Sequence, residues 1–181
     1  MAETLTAREL IAEGQGAYKA KRYSDAAALF EQAARALQTS GDSLGAAEAA
    51  NNSSVAFLQA GNAADALRLA EGTPAVFAAA GDLRRQGMAL ANQAAALEGL
   101  HHLPQALETY QQASELLKQS GEKDLRSLVL ENISSLQLRT GNQLQALASM
   151  DTALDQKGKL SVRERLLKKL LRVPFDMLNR K

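Results

Sequence analysis

Residues 40–62 read SGDSLGAAEAANNSSVAFLQAGN, and the pattern of this stretch returns twice, each time 40 residues further along the chain. The opening pair Gly41-Asp42 comes back as Gly81-Asp82 and as Gly121-Glu122. Two further positions recur at the same spacing, an asparagine at 52, 92 and 132 and an alanine at 26, 66, 106 and 146. A fixed period of about 20–50 residues is typical of a solenoid, in which one supersecondary unit stacks on copies of itself. The sequence therefore predicts a repeat architecture.

The composition favours helices as the repeated unit. Hydrophobic residues make up 46% of the 181 residues, but only 4% are aromatic and only three residues are proline. The apolar content is mostly alanine and leucine, which are strong helix formers. The chain has no cysteine, which excludes a disulfide framework, a thiolate metal site and a cysteine nucleophile. The N-terminal residues lack the features of a secretory signal, and no apolar run reaches the roughly 20 residues that cross a bilayer, so we expect a cytoplasmic protein.

Capping residues and hydrophobic periodicity predict where the helices begin and end. Thr6 with Glu9 predicts a capping box, and Asp42 predicts an N-cap directly after the helix-ending Gly41. Pro74 falls inside a helical pattern and predicts a break, with Thr73 as the cap of a short restarted helix. The predicted helices cover residues 3–20, 24–38, 43–60, 83–100, 105–119, 123–140, 143–156 and 162–172. Between residues 63 and 79 we expect two shorter helices, separated by the break near Pro74.

No linker divides these helices, so we expect one domain over residues 1–181. Its expected parts are four repeats at about 3–40, 41–80, 81–120 and 121–156, a capping helix at about 161–173 and a short tail at 174–181.

The order of small and bulky residues within the unit resembles the tetratricopeptide repeat (TPR) family. The residues that carry the resemblance are Gly14 to Ala17, Tyr23, Ala26, Phe30 and Ala33 in repeat one, Ala94, Ala106, Tyr110 and Ala113 in repeat three, and Ala146, Met150 and Ala153 in repeat four. Repeat two departs from the pattern at Ala70 and Thr73. The 40-residue spacing is similar to the longer repeats of kinesin light chains and related peptide-binding adaptors. The resemblance implies an all-α fold, a right-handed α-solenoid of four helix-turn-helix repeats plus a C-terminal capping helix. It also implies a non-catalytic adaptor or scaffold that binds a peptide or partner protein in its concave groove.

In such a stack the first helices of the repeats line the concave face, where Asn52, Asn92 and Asn132 form one row. A carboxamide both donates and accepts hydrogen bonds, so the row can hold the backbone of an extended peptide, as the resemblance implies for asparagines at this place. The alternative is that each asparagine bonds a neighbouring repeat and fixes the stacking. The other candidate groove residues are Gln15, Lys19, Asn51, Val55, Gln59, Ser135 and Arg139.

The C-terminal segment is basic and amphipathic. Residues 157–181 carry nine Lys/Arg and two acidic residues, a net charge of +7, whereas residues 1–156 carry twelve basic and 18 acidic residues, a net charge of −6. Ser161 with Glu164 predicts a capping box, and Pro174 predicts the end of the helix. We expect the leucines to cover the open end of the array while the charges face water. These leucines are Leu160, Leu166, Leu167, Leu170 and Leu171.

Two alternatives for this segment stay open. Residues 160–178, with Val173, Phe175, Met177 and Leu178, form a pattern suited to an anionic membrane surface, which would make the chain a peripheral membrane or assembly protein. Otherwise the tail docks onto an acidic groove of its own or a neighbouring chain.

No constellation of catalytic residues is recognisable. His101 and His102 are adjacent in a predicted turn, without acidic or thiol partners at metal-ligand spacing. The basic tail is not interleaved with aromatic residues and the rest of the chain is acidic, which disfavours nucleic acid. We expect a protein or peptide partner, no enzymatic activity, no cofactor or metal, and a monomer or homodimer.

Overall fold

The computed structural model of the protein describes residues 5–178 and confirms the all-α solenoid of helical hairpins. These residues form ten helices and no strand. The hairpins are α1 (Ala7–Lys19) with α2 (Tyr23–Thr39), α3 (Ser43–Gln59) with α4 (Ala63–Ala70) and α5 (Thr73–Ala79), α6 (Leu83–Gly99) with α7 (Leu103–Gln119), and α8 (Lys123–Arg139) with α9 (Gln143–Gln156), and α10 (Val162–Leu178) follows. Each hairpin packs on the one before it, through α2 and α3, through α4 and α5 with α6, and through α7 and α8. Residues 3 and 4 of the first predicted helix and residues 179–181 of the predicted tail lie outside the described part.

The predicted N-caps of the first two repeats are confirmed. The Glu9 N–H donates to the Thr6 hydroxyl at 3.3 Å, and the Thr6 N–H donates to the Glu9 carboxylate at 2.8 Å, which completes the capping box of α1. The Asp42 carboxylate accepts from the Gly45 N–H at 2.9 Å at the start of α3. These contacts span three residues and satisfy N–H groups that have no partner inside the helix, so the local sequence decides them.

The turn inside each hairpin passes through the left-handed region of backbone space. Gly61 (φ 82°) and Gly141 (φ 80°) occupy this position in repeats two and four, whereas Lys21 (φ 59°) and His101 (φ 61°) occupy it in repeats one and three. A side chain disfavours this conformation by about 1–2 kcal/mol, and glycine does not pay that cost. The turn geometry is thus the same in all four repeats, although only two of them have the residue that suits it.

The second helix of repeat two is broken where Pro74 predicted it. Helix α4 ends at Ala70 and α5 begins at Thr73, with Gly72 between them at φ 80°. The expected capping role of Thr73 is wrong, because Gly72 is the N-cap and no side chain caps α5. The Thr73 hydroxyl instead donates to the Ala70 carbonyl at 2.9 Å, so it ties the start of α5 to the end of α4.

Close approach of the helices depends on small residues facing bulky ones. The repeated alanines Ala26, Ala66, Ala106 and Ala146 are all buried. In repeat three, a Cβ added to Gly87 of α6 would lie 2.9 Å from Cγ of Leu117, so a side chain at this position would require Leu117 to move. Short side chains let the backbones approach, and the large neighbours fill the remaining space.

In the described part of the chain, four buried serines donate hydrogen bonds to backbone carbonyls of neighbouring helices. Ser54 donates to the Ala66 carbonyl at 2.7 Å, and Ser134, at the same register two repeats later, donates to the Ala146 carbonyl at 2.8 Å. The other two bonds, Ser53 to the Ala27 carbonyl at 2.7 Å and Ser127 to the Ala153 carbonyl at 2.9 Å, also join neighbouring helices. Because a buried hydroxyl needs a partner, these bonds constrain how far one helix can slide along the other.

The C-terminal helix is longer than the sequence predicted. The capping box is confirmed, since the Ser161 N–H donates to Glu164 at 2.8 Å and the Glu164 N–H donates to the Ser161 hydroxyl at 3.3 Å. Pro174 does not end the helix, which continues to Leu178. A proline removes its own hydrogen bond to the residue four positions earlier, but the residues that follow it still have N–H groups to donate, so another turn can form. The side chains beyond Leu171, including Val173, Phe175, Met177 and Leu178, lie outside the described part.

Candidate protein-binding face

The three asparagines of the predicted row occupy equivalent positions on α3, α6 and α8. Asn52 and Asn132 are exposed, and Asn92 is half-buried. Within residues 5–171 none of the three carboxamides forms a hydrogen bond with another protein group, so the bonds between repeats that the alternative required are not formed there. Each amide thus has both its donor and its acceptor available to water or to a ligand.

A surface depression lies between α1 and α3, the first helices of repeats one and two. It has a volume of about 280 Å³. Its lining consists of Gln15, Tyr18, Lys19, Phe30, Asn52 and Val55. Four of these residues, Gln15, Lys19, Asn52 and Val55, were predicted to share one face. The aromatic rings and Val55 supply an apolar base, while the two amides and Lys19 supply polar groups.

A second depression of about 330 Å³ continues along the same pair of helices. It is lined by Arg8, Ile11, Gln15, Leu37, Asp42, Gly45, Glu48, Ala49 and Asn52. Gln15 and Asn52 line both depressions, so the two adjoin at these amides. We refer to the pair of depressions as the α1–α3 trough. Its two ends differ, since one has an apolar base beside Lys19 and the other carries charges of both signs.

Two predicted groove residues have other roles. Asn51 is 8% exposed, and its side-chain oxygen lies 3.3 Å from the Thr73 hydroxyl, so it packs between α3 and α5 rather than on the exposed row. The physical reason is the rotation of about 100° between adjacent helix residues, which places Asn51 and Asn52 on different faces. Arg139 is exposed but forms an ion pair with Glu98, which joins α8 to α6.

Glu98 also accepts a hydrogen bond from the buried Tyr110 hydroxyl at 3.3 Å. Burial, together with the adjacent Glu98 carboxylate, raises the pKa of Tyr110 well above its ordinary value of 10. The hydroxyl therefore stays protonated and remains a donor. Arg139, Glu98 and Tyr110 form a connection between repeats three and four, which gives Arg139 a structural role. Two further predicted groove residues, Gln59 and Ser135, are exposed.

Sequence reasoning missed several residues that line the trough, among them Arg8, Tyr18 and Phe30. Tyr18 follows Gln15 by three positions, and this helical spacing could have placed it on the same face. Phe30 was interpreted as a packing residue of α2, and it is indeed buried, but one side of its ring also borders the depression. The sequence could not show that Phe30 lines the depression, because this depends on how α1 and α3 lie next to α2.

Neither a metal centre nor a membrane span is found in the described part of the chain. Among these residues no three His, Cys, Asp or Glu side chains come together in a way that could hold a metal ion. No helix among the same residues has the length and hydrophobicity that crossing a membrane requires.

Comparison with known proteins agrees with the fold and identifies the family. The chain superposes on a Podosopora anserina protein described as a kinesin light chain with nearly identical TPR-like repeats, with a TM-score of 0.53 and 14% identity over 96% of this chain and 97% of that chain. At this identity the similarity establishes the fold alone. No curated protein matches the sequence. The model of the soluble NSF attachment protein (SNAP) family matches residues 3–173. This match spans nearly the whole sequence, and the chain therefore belongs to the soluble NSF attachment protein family.

Proposed function

We propose that this chain is a non-catalytic adaptor that binds an extended segment of a partner protein in the α1–α3 trough. The name of the family describes an attachment protein, and we extend to this chain only the general role of binding another protein. We expect it to act in the cytoplasm as a monomer or homodimer.

The observation that carries the proposal is the position of Gln15 and Asn52. Both amides border both depressions of the trough, and neither forms a side-chain hydrogen bond within the described residues. An extended peptide has one backbone donor and one backbone acceptor per residue, and a carboxamide can satisfy both. The apolar base formed by Tyr18, Phe30 and Val55 would then receive a hydrophobic side chain of the peptide.

Asn92 and Asn132 offer the same chemistry on the next two repeats. Their register on α6 and α8 matches that of Asn52 on α3, so they can extend the contact along the first helices of the array. A long, shallow contact of this kind fits a flexible partner segment, because each repeat adds a similar increment of binding.

The experiment that tests the proposal compares three forms of the protein in pull-downs analysed by mass spectrometry. The first is the wild type, and the second is the Asn52→Ala/Asn92→Ala/Asn132→Ala variant. The third is a matched control that removes three exposed amides from the second helices, Gln32→Ala/Gln112→Ala/Gln145→Ala.

We expect a partner that the wild type and the control retain and the asparagine variant loses. The variant should stay folded, with each Asn→Ala change altering the free energy of unfolding by less than about 1 kcal/mol, since none of the three amides forms a hydrogen bond with another protein group within the described residues. If the asparagine variant retains every partner of the wild type, the proposed site is wrong.

A further inference from the structure

One face of the C-terminal helix α10 is fixed to the rest of the protein. Leu171 is 6% exposed, and α10 packs on α9. Glu164 accepts a hydrogen bond from Lys157 at 2.8 Å, and Lys157 also pairs with Glu131 of α8 at 2.7 Å. Lys168 on the same side of α10 pairs with Asp155 of α9. The inward face thus carries one acidic and one basic side chain, and both are paired.

The opposite face carries a row of aliphatic side chains in water. Val162, Leu166 and Leu170 are 79%, 60% and 59% exposed. They follow one another at intervals of four residues, so they form a nearly straight row about 12 Å long on one side of the helix. We expected the leucines of this segment to cover the end of the array. Leu171 is buried as expected, but Leu166, Leu167 and Leu170 are exposed. Burying such a row requires something outside the described chain.

Cations flank this row on both sides. Arg163 lies along one edge of the row, and Arg165 and Lys169 lie along the other; all three are exposed. Within the described residues none of these three forms an ion pair. The only acidic residue among residues 162–171 is Glu164, which faces inward. Beyond Leu171 the sequence adds three further basic residues, Arg172, Arg180 and Lys181, against Asp176.

We propose that the outward face of α10, formed by Val162, Leu166 and Leu170 with their flanking cations, binds an anionic membrane surface. The helix would lie along the interface, with the aliphatic row among the outer acyl segments and the long basic side chains reaching the phosphate groups. The charge arrangement favours a lipid surface over an acidic protein, because a bilayer presents diffuse negative charge on both sides of an inserted row. A protein partner would supply counter-charges at a few fixed points.

Vesicle co-sedimentation of the full chain tests this proposal. The wild type is mixed with vesicles of phosphatidylcholine and phosphatidylserine and, separately, with vesicles of phosphatidylcholine alone. Two variants change the proposed face, Leu166→Asp/Leu170→Asp for the aliphatic row and Arg163→Gln/Arg165→Gln/Lys169→Gln for the cations.

Matched controls make the same chemical changes elsewhere on the surface. Leu128→Asp/Leu138→Asp alters two leucines of α8 with similar exposure, and Lys21→Gln/Lys118→Gln/Lys123→Gln removes three exposed cations. Circular dichroism verifies that every form keeps its helical content. Because the changed leucines of α10 are already in water, their replacement should leave the fold intact.

We expect the wild type and both controls to sediment with the anionic vesicles and not with the neutral ones. Each α10 variant should bind at least about tenfold more weakly, because apolar insertion and charge attraction both contribute to interfacial binding. The proposal is overturned if the wild type stays in the supernatant, if it binds neutral vesicles equally well, or if the α10 variants bind like the wild type. The triple asparagine variant should bind vesicles normally, which separates this proposal from that of the trough.

Discussion

The ring of Phe30 lies so close to Gly14 that a Cβ added to the glycine would be 2.9 Å from Cε1 of the ring. Gly14 is buried on α1, and Phe30 is buried on α2. This contact fixes the separation of the two helices of repeat one, and Phe30 also borders the α1–α3 trough. Packing and the shape of the candidate site thus depend on the same pair.

Gly14→Ala should lower the free energy of unfolding by about 1–3 kcal/mol, because the added methyl group overpacks a tight contact with an aromatic ring. Gly16→Ala, two residues along the same helix, is the matched control. It has no atom within 4 Å of the added Cβ, and it should raise stability by about 0.5–1 kcal/mol through helix propensity. Urea unfolding measures both, and equal effects would contradict the packing argument.

Ser54→Ala should destabilise the protein by about 0.5–1.5 kcal/mol, since it removes a buried hydrogen bond to the Ala66 carbonyl. Repeat three already has alanine, Ala94, at the equivalent position, so the hairpin tolerates the change without unfolding. The exposed Ser135→Ala is the control and should stay within about 0.5 kcal/mol of the wild type. Thermal unfolding distinguishes the two. A neutral Ser54→Ala would mean that this hydrogen bond stabilises the folded state no more than bonds to water stabilise the unfolded state.

His101→Gly should stabilise the protein by up to about 1 kcal/mol, because it relieves a side chain held at φ 61°. The reverse change at the equivalent turn of repeat two, Gly61→Ala, should destabilise by about 1–2 kcal/mol, since nothing but the backbone conformation opposes the added methyl group. Urea midpoints of both variants give the sign of each effect. Two changes of the same sign would show that the local φ does not control these turns.

The attachment of α10 should weaken in acid. The Lys157 hydrogen bond, with the Ser161 N–H and hydroxyl, lowers the pKa of Glu164 from 4.5 to about 2. Because the pKa is lower in the folded state, the carboxylate stabilises the fold above the unfolded-state value, and this contribution is lost as the pH falls through 4.5 towards 2.

Comparing the urea midpoints of the wild type and Glu164→Gln over this pH range measures the effect. The advantage of the wild type should shrink steadily with falling pH. Glu108→Gln, an exposed change on α7, is the control for general acid effects. A constant difference between the wild type and Glu164→Gln would exclude a role for the ionised carboxylate.

The 40-residue period and the capping residues determined the helical hairpins, because these features act over a few neighbouring residues. The Thr6–Glu9 box, the Asp42 cap and the break before Pro74 all depend on hydrogen bonds or steric clashes within one turn of the chain. These caps and this break do not depend on contacts with residues distant in sequence. The fold class and most helix limits could therefore be predicted from the sequence.

The rotation of each helix about its own axis was decided by the tertiary structure. Asn51 and Asn52 are neighbours in sequence, yet packing against α5 buries the first and leaves the second at the trough. On α10 the sequence offers two leucine faces, and contacts with α9 bury Leu171 while Leu166 and Leu170 remain in water. Periodicity shows which residues share a face, but the face that turns inward depends on the summed packing and ion pairs with residues distant in sequence.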